Sequence, residues 1–99
     1  MTPEDHSRLE ARFESLIKPH FVLMDREMAD HVRHYLDAGE LEMAFESFVL
    51  SSIELQIGFA ADERVRLIDL GKLLGLQDKS VFKADFWARA TRYLEGAAT

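Results

Sequence analysis

The side chains with most chemistry to offer in this sequence are 4 histidines and 18 acidic residues. His31 and His34 stand three apart, a spacing that puts both on one side of a helix, where they could share a metal ion. A metal site needs a third and a fourth ligand, and neither a His-Glu-x-x-His nor a Glu-x-x-His pair occurs. These histidines read better as helix-surface or partly packed side chains, so no metal and no other cofactor is expected. Glu42 and Glu46, four apart, could form a general acid/base pair. Such a pair needs a pocket and a neighbour that separates the two pKa values, for which a short chain has little room. The chain has no cysteine, which removes disulfides, thiolate metal sites and thiol nucleophiles. It has no Gly-x-Ser-x-Gly elbow and no glycine-rich phosphate loop; its glycines, at 39, 58, 71, 75 and 96, fall mostly at expected helix ends. Catalysis is therefore not expected.

What remains is charge. The net charge of −6 is unevenly placed: residues 1–63 hold 14 acids against 5 bases, and residues 64–99 hold 4 against 7. Between Arg33 and Arg64 there is no Lys or Arg, while Asp37, Glu40, Glu42, Glu46, Glu54, Asp62 and Glu63 all fall there. Such segregation is either a solvated, self-complementary surface or a docking surface for a cationic protein. The 99 residues fit a single domain, 1–99, and an apolar share of 47% is enough for one modest core. No apolar run approaches the roughly 18 residues that span a bilayer. The first residues, Met1-Thr2-Pro3-Glu4-Asp5, are acidic where a signal peptide is basic, so a cytoplasmic protein is expected.

The elements that would carry these charges are helical. Thr2-Pro3 reads as N-cap and first helical residue, followed by Leu9, Phe13, Leu16 and Ile17 at helical spacing; Pro19 ends the helix near Lys18. Asp25 can cap a second helix with Met28, Val32, Tyr35 and Leu36 on its apolar face and Gly39 as its stop. A third segment, Glu40 to Ile57, is apolar nearly all round and so should be the central helix, with Gly58 ending it. Asp62 reads as the next N-cap, Leu67, Leu70, Gly71 and Leu74 as a buried stripe, and Gly75 as the close. Asp78 or Ser80 is the expected cap of a last helix that buries Phe82, Phe86, Ala90, Tyr93 and Leu94, with Trp87 at its margin. No alternating run requires a strand. The expected fold is all-α, a compact antiparallel bundle of four to five helices.

Two other functions fit parts of the pattern. Residues 62–95 could be a helix-turn-helix, with Lys79 and Lys83 at the start of the second helix. Against this, Asp85, Phe86 and Trp87 follow closely, and a chain of −6 lacks a phosphate-binding stripe. A plain helical protein-interaction adaptor is the other. By contrast, acids on a rigid helical scaffold can steer a basic partner and occupy a nuclease site as a surrogate for the nucleic-acid backbone, which requires no pocket, cofactor or nucleophile.

The stretch His34-Tyr35-Leu36-Asp37-Ala38-Gly39-Glu40-Leu41-Glu42-Met43-Ala44-Phe45-Glu46-Ser47-Phe48 resembles the core pattern of small bacterial immunity proteins of the MafI family. There a helix ends in a small residue and Gly-Glu, here Gly39-Glu40, then runs through Ala-x-Glu, here Ala44 and Glu46, with a later acid matched by Glu54. Leu70-Gly71-Lys72-Leu73-Leu74-Gly75-Leu76 resembles the downstream helix of such proteins, and the resemblance covers roughly residues 32–76. Acidic helical immunity proteins of the colicin D type are similar in architecture. The resemblance implies a cognate inhibitor whose partner is the C-terminal domain of a bacterial toxin, often a nuclease. It matches Glu40, Glu46 and Glu54, and together with Asp37 and Glu42 from the same cation-free stretch these are the candidate partner-binding acids. The same residues have local alternatives: Gly39 as helix C-cap, Glu40 on the next helix's dipole, and Glu46 paired with Arg64 or Arg66.

Overall fold

Five α-helices and one 3-10 turn form an all-α bundle in the computed structural model, which describes residues 2–79 and 84–95. In chain order these are α1 (Pro3–Ile17), the 3-10 turn Lys18–Leu23, α2 (Arg26–Asp37), α3 (Leu41–Leu55), α4 (Ala61–Leu73) and α5 (Phe86–Leu94). α1 starts as its sequence dictates. The Thr2 hydroxyl accepts from the Asp5 N–H, and the Asp5 carboxylate accepts from the Thr2 N–H, with Pro3 in the first turn. Pro19 removes one N–H just beyond the helix, and the chain tightens into the 3-10 turn before α2.

α3 is the central element, in contact with α1, α2 and α5, and it buries Leu41, Ala44, Phe45, Glu46, Phe48, Val49 and Ser52. Around it pack Leu9, Phe13 and Ile17 of α1, Val32 and Leu36 of α2, Leu67 and Leu70 of α4, and Phe86, Ala90 and Leu94 of α5. Phe13 meets both Phe45 and Phe48, at centroid separations of 5.6 and 5.9 Å, and Phe45 meets Phe86 edge-on at 6.4 Å. Ser52, buried in α3 along with Glu46, donates to the Phe48 carbonyl one turn back.

Three boundaries and one cap differ from the sequence expectation. α3 ends at Leu55 because Gln56 adopts the left-handed conformation (φ 55°), the Ile57 N–H reaches back to the Ser52 carbonyl, and Ile57 is buried. Gly58 therefore lies beyond the stop. α4 begins two residues earlier than expected: Ala60 is the N-cap, and Glu63 accepts its N–H at 2.9 Å, so Asp62 falls in the first turn. Asp25 occupies the N-cap position of α2 but makes no side-chain cap bond. α5 begins at Phe86 after Asp85. The Asp78 N–H is instead turned onto the Gly75 carbonyl, and Ser80, Phe82 and Lys83 lie outside the described residues. No helix among the described residues is long and apolar enough to cross a membrane.

Candidate functional site

The connection between α2 and α3 sets the geometry of the acidic region. Gly39 is left-handed (φ 76°), its N–H bonds to the Leu36 carbonyl, and the Glu40 N–H bonds to the Tyr35 carbonyl at 2.8 Å. This double bond pattern closes α2 and reverses the chain within two residues, a turn that suits glycine because a Cβ at positive φ is strained. Glu40 is then the N-cap residue of α3, and its carbonyl accepts from the Ala44 N–H. Both flanking helices are anchored by buried residues, Leu36 before the turn and Leu41 after it.

This corner brings together three of the five acids singled out by sequence. Asp37 and Glu40 are exposed, and Glu42 is half-buried in the first turn of α3, where its charge favours the positive helix end. Glu54 is also exposed but lies twelve positions further along α3, about 18 Å from Glu42 at 1.5 Å per residue. Glu46 departs from the group: it is 0% exposed, beside buried Val49 and half-buried Leu50 and Ile53. No buried side-chain nitrogen or oxygen among the described residues lacks a hydrogen-bond partner, so this carboxyl is part of the interior. Asp30, outside these five, is exposed on α2 seven residues before Asp37, but Arg33 stands between the two on the same side of the helix, so Asp30 does not extend the acidic corner. Arg26 approaches Asp30 at 3.8 Å, with both side chains largely in solvent.

Other acids of the cation-free stretch are used within the fold. Glu63 accepts the Ala60 N–H and also meets His20 Nε2 at 2.9 Å. The backbone bond from Ala60, then the bond from His20, hold its carboxyl below the usual carboxylate range. His20 packs edge-on against Phe59, which in turn meets Phe48, so this contact ties the 3-10 turn to the start of α4 and to the core. On α1, Glu14 pairs with Arg33 of α2, whose guanidinium also lies over the Phe21 ring at 5.5 Å.

His31 and His34 are both exposed on α2, and among the described residues no three His, Cys, Asp or Glu side chains converge as metal ligands. Of the 62–95 segment the structure describes α4 and α5, while Ser80 to Lys83, where the second helix of a helix-turn-helix is expected to open, lie outside the described residues. α5 spends Phe86, Ala90 and Leu94 on the core. The chain matches no family model, no curated protein and no solved structure.

Proposed function

We propose that this chain is an immunity protein, which binds the C-terminal domain of a cognate bacterial toxin, a nuclease, and covers its basic active-site surface. The observation that carries this reading is the α2–α3 corner. There Asp37, Glu40 and Glu42 are set on a rigid reversal between two anchored helices, in a stretch with no Lys or Arg from residue 34 to residue 63. A nuclease must hold phosphates and is therefore cationic at its site. A preformed acidic corner meets that field at little conformational cost, and electrostatic steering raises association rates by about 10- to 1000-fold. Charge pairs desolvated at the centre of such an interface couple by about 1.5–7 kcal/mol, whereas rim pairs contribute far less. Glu54 belongs to the same surface only if the interface runs the length of α3; Glu46, inside the fold, would act through packing. The resemblance of residues 32–76 to MafI-type immunity proteins supports this reading, which would place the protein in the cytoplasm, where it would meet incoming toxin.

The reading requires a toxin gene beside this one, and the test uses the purified C-terminal domain of that toxin. Asp37→Asn, Glu40→Gln and Glu42→Gln, combined, are expected to weaken binding at least about tenfold, slow association and flatten its salt dependence, with helicity unchanged. Glu54→Gln, measured separately, locates the far edge. Unchanged affinity and salt slope in the triple variant would overturn the assignment.

A further inference from the structure

A second charged surface, distinct from the acidic corner, lies between α1 and α4. Arg8 and Arg12, one turn apart on α1, and Arg66 on α4 line one open groove of about 460 Å³ together with Ala11, Ser15 and Leu16. An adjoining hollow of about 370 Å³ shares Arg8 and Arg12 and adds Leu9, Leu73 and, at one end, Asp5. None of the three arginines has an acid within 4 Å among the described residues, although Arg66 is close enough to Glu63 to help hold its carboxyl low. Leu73 is 55% exposed. The lining thus combines apolar side chains with guanidinium groups that no ion pair engages directly.

We propose that this groove docks an acidic amphipathic helix of a protein partner. Two features select that occupant. The arginines call for anions, and the i,i+4 spacing of Arg8 and Arg12 matches carboxylates one turn apart on a helix, where neighbouring Cβ atoms lie about 5–6 Å apart. The apolar floor of Ala11, Leu16 and Leu73 calls for a ligand with hydrocarbon as well as charge, which a helix laid in a groove supplies and a phosphate backbone does not. Asp69, exposed one turn beyond Arg66 on α4, and Asp5 set the ends at which acidic side chains are unwelcome. This proposal uses residues other than the toxin-facing acids and stands or falls independently of them.

The probe is a fluorescein-labelled peptide of about 18 residues, long enough to be helical, with leucines on one face and Glu pairs four apart flanking them. Anisotropy titration of the full chain should give saturable binding. Replacing the peptide's Glu by Gln, or making the Arg12→Glu/Arg66→Glu variant, should weaken it at least about tenfold, while circular dichroism of the variant stays unchanged. The Asp37→Asn/Glu40→Gln/Glu42→Gln variant should bind the peptide as the parent does. No peptide binding, or binding indifferent to either charge change, overturns the proposal. So does arginine-dependent capture of duplex DNA in preference to the peptide, or arginine-dependent self-association by sedimentation.

Discussion

Among the described residues Gly71 is the glycine that lies inside a helix and inside the core, and replacing it tests the α4–α5 packing directly. A Cβ at Gly71 would stand 2.5 Å from Trp87 Cζ3, 2.9 Å from Trp87 Cη2 and 3.1 Å from Phe45 Cζ. Carbon atoms prefer about 3.5–4.0 Å, so Gly71→Ala forces the Trp87 ring back by about 1 Å. Overpacking of this kind costs about 1–3 kcal/mol. Alanine returns about 1 kcal/mol through helix propensity. Because Trp87 is half-buried its ring can move toward solvent, which puts the cost near the middle of that range. The net expectation is a loss of about 1 kcal/mol, or about 4–8 °C in Tm for a domain of this size. Trp87 is the sole tryptophan, so its emission should shift to the red in the folded variant. The decisive control is the Trp87→Leu background, followed by circular dichroism. With the ring gone, Gly71→Ala should become neutral or stabilising by up to about 1 kcal/mol. Equal cost in both backgrounds would show that the ring is not what excludes a side chain at position 71.

Gln56→Gly should stabilise the chain by about 0.5–1 kcal/mol in urea unfolding, because a left-handed non-glycine residue carries a cost of about 1–2 kcal/mol that glycine avoids, less its greater unfolded entropy. The Tyr93 hydroxyl donates to the Ile57 carbonyl, bridging α5 to the end of α3. Tyr93→Phe should lower stability by about 0.5–1.5 kcal/mol, and Tyr93→Leu by more. Glu63, its carboxyl held low in the folded state, contributes stability fully present above its ordinary pKa of 4.5 and lost as pH falls through the folded value. The stability difference between parent and Glu63→Gln should therefore shrink between about pH 5 and pH 3; parallel curves across that window would contradict the Ala60 and His20 contacts.

The helical class, the central place of the third segment and most of the core were legible because they depend on short-range periodicity. Leu9, Phe13 and Ile17, and likewise Phe86, Ala90 and Leu94, recur every three to four residues, and each set is buried where its helix meets the others. Boundaries that depend on two competing terminators were not legible. Gly58 is the better left-handed residue in isolation, but stopping at Gln56 lets Ile57 turn back onto the core. Asp62 is the better N-cap by type, yet Glu63 reaches back to the Ala60 N–H and is itself held by His20, forty-three residues away in sequence. Long-range contacts of that kind leave no local signature. The same holds for the arginine groove. Arg8 and Arg12 are visibly one turn apart, but nothing near them in sequence points to Arg66.

The cation-free stretch from 34 to 63 has two causes that the fold separates. Over α3, burial alone disfavours Lys and Arg, since seven of its positions face the core and long cationic side chains are almost never fully buried. That part of the pattern says nothing about a partner, and Glu46 shows how an acid can belong to it without being presented. The exposed positions are another matter. Residues 34, 37–40, 54, 56, 58 and 60–62 are all in solvent, where burial does not select the side chain, and they hold Asp37, Glu40, Glu54 and Asp62 but no Lys or Arg. Exposed surface in a soluble protein ordinarily mixes both signs. Here a free choice of charge falls on one sign only, and two of the four acids, Asp37 and Glu40, flank the turn at Gly39. It is this exposed subset, more than the total of −6, on which the proposed docking of a cationic partner rests.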